Sequence, residues 1–164
     1  MRFLHFLLIS LTLGLAAGLA GCSGEKPVEK AIIGTWVQDT PVSMTSGGLQ
    51  TTTSDAVLKL NKNGSVQLTR NLDIAGQGLP AEGSKINLEL RGKWEFIDGQ
   101  LIQTQETALI MALTSDDITR DLAEQLQTQA DQSPPSIKDI ITVDRTQLIL
   151  QDTETGSTDI YRRK

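Results

Sequence analysis

The chain has 164 residues, of which 38% are hydrophobic. This is enough for one domain with its own core and too few for two ordinary domains. Its net charge is −5, with 15 basic side chains that form no cluster against 20 acidic ones. A chain with an excess of acidic side chains and no basic cluster is not suited to bind the phosphate backbone, so nucleic acid is not expected as a partner.

The first 21 residues have the layout of a secretory signal. Arg2 is followed by an apolar run from Phe3 to Ala20 and then by a small residue, Gly21, which is the order of regions in an export signal. A run of this length could also stay in the bilayer as a transmembrane helix, which needs roughly 20 apolar residues. Length alone therefore leaves both interpretations open.

The end of the run favours the cleaved signal. The four residues Leu19-Ala20-Gly21-Cys22 resemble the bacterial lipobox at every position. The resemblance implies cleavage before Cys22, attachment of diacylglycerol to its thiol and acylation of the new amino group. Two or three acyl chains hold a protein firmly at a membrane, because each buried methylene contributes about 0.8 kcal/mol. By analogy with enterobacterial lipoproteins, Ser23 in place of Asp favours the periplasmic face of the outer membrane.

This interpretation divides the chain into a signal peptide (1–21), a polar lipidated tether (22–31) and one domain (32–164). Cleavage removes Arg2 and the only histidine, His5, and leaves 14 basic against 20 acidic side chains, a net charge of −6. Cys22 is the only cysteine, so the mature domain has no histidine and no free thiol. Nucleophile pairs that use histidine and the usual zinc sites are therefore excluded, which predicts a non-enzyme without metal or cofactor.

The domain sequence is mostly strand-like. Two alternating runs within 57–74 flank Asn63-Gly64, the dipeptide that suits a tight hairpin turn. From 86 to 96 the even positions are apolar or glycine and the odd positions are polar, which predicts a long strand with one wet face. Asp98-Gly99 supplies the next turn. Further strands are predicted over 101–111, 139–144, 147–152 and 157–162, and long loops over 40–54 and 75–84.

One helix is predicted near 115–131. Its apolar residues recur every four positions and form a thin stripe, and Ser115 suits the helix start while Pro134 and Pro135 follow its end. The stripe consists of Ile118, Leu122, Leu126 and Ala130. Because so narrow a stripe cannot face a deep core, we expect the helix to lie across the outside of a sheet or an open end of a barrel.

These elements predict a mainly β, antiparallel fold: a small up-and-down barrel or a sandwich, with one helix near 115–131. Closure favours the barrel, because it leaves no exposed strand edge. Gly34-Thr35-Trp36 at the start of the first strand resembles the lipocalin-like (calycin) pattern. The resemblance implies a small barrel whose tryptophan plugs the closed end, here without the disulfide of classical lipocalins. The alternative is that Trp36 and Trp94 simply fill a core.

Arg70 is the candidate ligand-binding residue. It falls in the row of apolar residues on one face of the strand that follows the predicted Asn63-Gly64 turn, and the row consists of Val66, Leu68, Leu72 and Ile74. A charge on the inner face of a small barrel could fix the head group of an anionic apolar ligand. A bulge that re-aims position 70, or the end of the strand there, is the commoner explanation.

Two functions follow as hypotheses. The first is a lipid-anchored, non-catalytic binding or assembly module of the cell envelope, held to the membrane through Cys22 and able to take an envelope protein as partner. The alternative is a carrier of a small apolar or anionic ligand inside the barrel, which requires an interior cavity of about 300 Å³ or more. A hydrolase that uses carboxylates alone is disfavoured, because the alternation places Glu89 and Glu95 on the wet face.

Overall fold

A computed structural model describes residues 27–164, so the predicted signal, the lipobox and Cys22 lie outside the described residues. Two helices, α1 (Val28–Ile32) and α2 (Asp117–Ala130), accompany nine strands in this part of the chain. The strands are β1 (Gly34–Gln38), β2 (Val42–Ser46), β3 (Leu49–Leu60), β4 (Ser65–Gly76), β5 (Ser84–Ile97), β6 (Gln100–Ala112), β7 (Ser136–Val143), β8 (Gln147–Asp152) and β9 (Thr158–Arg163).

The strands close into a barrel. Successive strands from β2 to β9 pair antiparallel, and β9 then pairs with β1. Strand β1 also pairs with the end of β3, from Gly34 opposite Leu60 to Val37 opposite Val57. Eight strands thus form a closed ring, and β2 extends the free part of β3. The predicted mainly β fold with a small antiparallel barrel and one substantial helix is confirmed, and the sandwich alternative is wrong.

The predicted turns and strands are largely in place. Asn63-Gly64 lies in the β3–β4 turn, the strand predicted over 86–96 lies within β5, and Asp98-Gly99 connects β5 to β6. The loop predicted over 40–54 is wrong, because β2 and β3 form a hairpin there around Gly47-Gly48, both with positive φ. Threonine is β-branched and favours strands, so its abundance in this stretch supports strands and not a loop.

The closed end of the barrel, where α1 lies, is tightly bonded. Trp36 is fully buried, and its Nε1 donates to the Ile32 carbonyl at 2.7 Å. The Arg163 guanidinium stacks 4.0 Å from the centre of the Trp36 ring. It also donates to the carbonyl oxygens of Ala31 at 2.6 Å, Ile33 at 2.9 Å and Arg145 at 3.0 Å. One arginine therefore ties α1, β1 and the β7–β8 turn together.

The opposite half of the barrel is covered by α2. Strand β6 pairs with β7 only from Gln100 to Gln103, so its second half has a free edge. Gln127 of α2 fills this edge: its Oε1 accepts from the Ile110 N–H at 3.1 Å, and its Nε2 donates to the Ala108 carbonyl at 3.2 Å. Covering an edge in this way satisfies backbone groups that would otherwise be free to pair with another chain.

The buried face of α2 differs from the predicted stripe. As expected, Leu122 and Leu126 pack against a hydrophobic core, which is separate from the core around Trp36. Ile118, in contrast, is 47% exposed. Thr119 is fully buried in its place, and its hydroxyl donates to the equally buried Ser84 hydroxyl at 3.0 Å. A buried polar pair is invisible to a search for apolar periodicity, which explains the shift of the face. Within residues 27–164, no helix has the length and apolar character needed to cross a membrane.

Candidate functional site

Arg70 lies on the inner face of the barrel. Strand β4 pairs with β5 without a break from Ser65 to Ile74, and Arg70 stands opposite Leu88. The expectation of a bulge or strand end at position 70 is therefore wrong. The irregularity lies in the neighbouring strand β3, between Ser54 and Val57, where Asp55 has a φ of 53°. The alternation of β4 is preserved, so Arg70 stays in its inward-facing row.

The Arg70 guanidinium has no bonding partner within the described chain. Its Nε is buried without a hydrogen bond, and no ion pair of residues 27–164 includes it. Burial, followed by the charge of Asp159, raises the pKa of the Tyr161 phenol, whereas the charge of Arg70 lowers it. The guanidinium therefore acts on the barrel interior. Only Nε is enclosed, since the residue as a whole is partly exposed and its two Nη atoms are not among the buried atoms without a partner.

The interior holds a second cation that is paired. Lys138 Nζ lies 2.6 Å from Asp159 Oδ2, and the two side chains are only 16% and 19% exposed. Their charges cancel locally, so Lys138 is not available to a further anion. Arg70 is the interior cation that keeps its charge uncompensated by the residues described.

Gln103 is a site residue that the sequence analysis missed. It stands opposite Ser136, at the last paired position between β6 and β7, and its Nε2 is buried without a partner. Its inward direction follows from the tight Asp98-Gly99 turn, which sets it opposite the buried Trp94, and a bulge at Glu106 reverses the alternation of β6 beyond it. Gly92 accommodates this bulge, since a Cβ there would lie 2.0 Å from the Thr104 carbonyl oxygen. A glycine inside an otherwise alternating strand is the signal that indicated a close approach.

A cavity of about 200 Å³ opens beside Gln103. The cavity lies where β6 and β7 are no longer paired, beyond Gln103 and next to the segment 133–136. We call this cavity the side window. Its apolar lining consists of Val66, Leu68 and Leu90, and its polar lining includes Gln103, Gln105 and Ser136. The cavity is smaller than the 300 Å³ that the carrier hypothesis required. It can hold a small molecule or the end of a longer one, but it cannot enclose a drug-sized ligand.

A second depression is an open groove of about 460 Å³ between α2 and the end of β6. Ile110, Ala112 and Ala123 form its floor, and Arg120 and Glu124 stand at its rim. On the opposite face of β6, Leu109 and Met111 are 49% and 43% exposed. This region is a surface feature and is separate from the inward-facing donors.

Of the two carboxylates considered for catalysis, Glu95 is exposed and Glu89 is engaged in surface contacts. Glu89 accepts hydrogen bonds from Arg91 Nη2 at 2.6 Å and from Gln67 Nε2 at 2.9 Å. The Arg91 bond, followed by the Gln67 bond, holds the pKa of Glu89 below its usual range. Residues 27–164 bring together no group of three or more His, Cys, Asp or Glu side chains suited to a metal ion.

Among the predicted site residues, the structure thus places Arg70 in the interior, and Cys22 lies outside the described residues. It adds Gln103 and the side window. Comparison of the chain with protein-family models and with curated proteins finds no match to either.

Proposed function

We propose that this chain is a lipid-anchored lipoprotein of the bacterial envelope whose barrel serves as a non-catalytic binding module. The anchoring part rests on the signal layout and on Leu19-Ala20-Gly21-Cys22. Ser23 in place of Asp after the cysteine favours the periplasmic face of the outer membrane, by analogy with enterobacterial lipoproteins. The non-catalytic part rests on a mature sequence that lacks histidine and any thiol other than Cys22.

The observation that carries the binding function is the pair of unpartnered donors inside the barrel, Arg70 Nε and Gln103 Nε2. Buried polar groups in native proteins nearly always have partners, because an unsatisfied group costs about 1–3 kcal/mol. Each exception calls for a reason, and a bound molecule that supplies the missing acceptors is such a reason. Gln103 is also one of the residues that line the side window.

A second candidate function is assembly with an envelope protein. The observation that favours it is the apolar surface on the outer side of β6, where Leu109, Met111 and Leu113 are exposed. Crosslinking in intact cells, followed by purification of the chain from membranes, tests this function. A reproducible envelope partner that is lost when Met111 and Leu109 are replaced by Ser supports it, and its absence counts against it.

The anchor is tested by metabolic labelling with an alkyne analogue of palmitate in a bacterial host. We expect the wild-type chain to incorporate the label and to fractionate with membranes. Cys22→Ala should lose the label and accumulate as the uncleaved precursor, because the cleaving enzyme requires the lipidated cysteine. Ser23→Ala, one residue away, is the matched control and should keep the label. Labelling of the Cys22→Ala variant at the wild-type level would contradict the proposal.

A further inference from the structure

Strand β2 forms an uncovered edge of the described sheet. It pairs only with β3, and four of its five residues are exposed. The free part of β6, in contrast, is covered by α2 through the hydrogen bonds of Gln127. Native proteins usually cover an edge strand or place charged side chains on it, because its unpaired backbone groups can bind another strand. The edge of β2 is therefore open to strand addition.

The free backbone groups of this edge belong to Ser43 and Thr45. The β2–β3 loop has two residues, so the pair that flanks it, Ser46 opposite Leu49, is hydrogen-bonded. Alternate residues of an antiparallel strand bond to the same neighbour, which turns the N–H and C=O groups of Ser43 and Thr45 away from β3. No hydrogen bond within the described part of the chain uses these four groups. They lie symmetrically about Met44.

The side chains of this edge carry no charge. Residues 40–54 form the longest run without Asp, Glu, Lys or Arg among the residues described, whereas the whole chain has a net charge of −5. Two copies therefore repel each other least where two such edges meet. Met44 stands opposite Thr51, which stands opposite the buried Ile74. The Met44 side chain thus extends the inward face of the sheet, and it is 45% exposed.

We propose that β2 pairs antiparallel with β2 of a second copy of this chain, with the two Met44 residues opposite each other. A two-fold axis beside Met44 brings Ser43 of each copy opposite Thr45 of the other, and each of these pairs forms two hydrogen bonds. All free groups of both strands are then satisfied, and the two Met44 side chains meet on one face. This inference goes beyond the proposed binding function and depends neither on the barrel interior nor on the lipid anchor.

Other occupants match the edge less well. The predicted tether cannot reach it, because residues 22–26 span at most about 18 Å, whereas β3 rises about 30 Å from Leu60 at the closed end to Thr51. A different protein would need an uncharged strand of its own, which a second copy already has, with donors and acceptors at matching positions. Because the two-fold axis is perpendicular to the sheet, two anchored copies can lie side by side on one membrane.

The test is disulfide trapping in membranes of a bacterial host that expresses the full chain with Met44→Cys. Directly opposite residues of a pair without hydrogen bonds have Cα atoms about 4.5 Å apart, which a disulfide can span. We expect most of the Met44→Cys chain to run as a dimer on a non-reducing gel after mild oxidation. Absence of this dimer, or a crosslink to a protein of another mass, overturns the proposal.

The wild-type chain is the blank, because Cys22 is its only cysteine. It should give no dimer. A wild-type dimer would report a free Cys22 thiol, which counts against the lipid anchor and not against the pairing of β2. The two proposals can therefore fail separately.

Two further cysteine variants test the register. Thr45→Cys lies on the same edge but faces its symmetry mate diagonally, about 7–8 Å away, which is beyond the usual span of a disulfide. Gln50→Cys is exposed on β3, away from the edge. Each should give roughly tenfold less dimer than Met44→Cys. Equal amounts of dimer from all three variants would indicate random collision and overturn the proposal.

A proline distinguishes backbone pairing from side-chain contact. Thr45→Pro, added to Met44→Cys, removes one free N–H of the edge and no bond to β3, and it should reduce the dimer roughly tenfold. Thr45→Val in the same background keeps the N–H and should leave the dimer unchanged. Both double variants should have the Tm of Met44→Cys under reducing conditions. Undiminished dimer with Thr45→Pro overturns the proposal, and so does an earlier unfolding transition, because it would mean that this N–H already has a partner.

Discussion

The two halves of the barrel treat an inward-facing arginine in opposite ways. At the closed end, Arg163 donates to three carbonyl oxygens and stacks on Trp36. In the half under α2, Arg70 has a buried Nε without a hydrogen bond and no ion pair within the described residues. A satisfied buried cation fastens the elements around it, and an unsatisfied one lowers stability until a partner arrives. The closed end is therefore fastened by its arginine, and the half under α2 is not.

The largest expected effect is on the closed end. Arg163→Met should lower the free energy of unfolding by about 3 kcal/mol, because it removes three hydrogen bonds and the contact with the Trp36 ring while keeping a long apolar stem. Chemical denaturation followed by tryptophan fluorescence measures the change.

Arg162→Met is the control for this prediction. Arg162 is the neighbouring residue on the exposed side of β9, where it pairs with Asp39 at 2.7 Å and is 71% exposed. An exposed pair of this kind contributes about 0–1 kcal/mol. If Arg163→Met costs no more than Arg162→Met, the closed end does not depend on the arginine and the contrast between the two halves disappears.

The next largest effect is expected at Gln127, whose side chain is hydrogen-bonded in the half of the barrel under α2. Gln127→Leu should lower the free energy of unfolding by about 2 kcal/mol, because it removes the bonds to the Ile110 N–H and the Ala108 carbonyl. Hydrogen exchange at the Ile110 amide should become faster at the same time. Gln103→Leu is the matched substitution, and it should not destabilise the protein. Equal losses for the two variants would show that Gln103 is also bonded.

Arg70→Met should change stability in the opposite direction from Arg163→Met. The substitution removes a charge that has no partner in the described interior and keeps the apolar stem, so we expect the free energy of unfolding to rise by about 1 kcal/mol. Urea denaturation of the two methionine variants side by side is the measurement. A loss of stability for Arg70→Met would show that the guanidinium is already paired in the free protein.

Much of the fold could be predicted from local signals. Asn63-Gly64 indicates a hairpin, and the alternation over 86–96 indicates a strand with one solvent-exposed face. Both can be predicted because turn chemistry and side-chain period are local properties. The row that contains Arg70 was visible for the same reason. The β2–β3 hairpin is not predicted, because its Ser and Gly residues are typical of loops and outweigh the preference of Thr for strands.

The side window could not be predicted, because it depends on pairings between residues far apart in sequence. A bulge at Glu106 reverses the alternation of β6 beyond Gln103, which itself faces inward opposite Trp94 through the tight Asp98-Gly99 turn. The window exists only since β7 begins at Ser136, opposite Gln103. The residues next to Gln103 in the sequence indicate neither the bulge nor the start of β7. Gly92 on the neighbouring strand is the one sequence feature that points to the bulge. The side window, and not the direction of the two donors, thus comes from long-range pairing, which periodicity does not reveal.

The smallest expected effect separates the halves by pH. Asp116 caps α2, and a hydrogen bond from the Thr114 hydroxyl, followed by one from the Thr119 N–H, lowers the pKa of Asp116 from 3.8 to about 2. Because the pKa is lower in the folded state, this stabilisation is complete above about pH 4. It is lost as the pH falls toward 2.

Asp116→Asn keeps an acceptor for the helix N-terminus and does not titrate, so the difference in Tm between wild type and variant should shrink as the pH falls from about 5 to about 2. Thr114→Val should reduce the same pH dependence, because it removes the largest cause of the shift. Helix α2 covers only the half of the barrel opposite the closed end. Acid should therefore speed hydrogen exchange at the Ile110 amide before it affects the indole N–H of Trp36. Simultaneous loss of protection at both sites would mean that the barrel responds as one unit, with no separate stability of the half under α2.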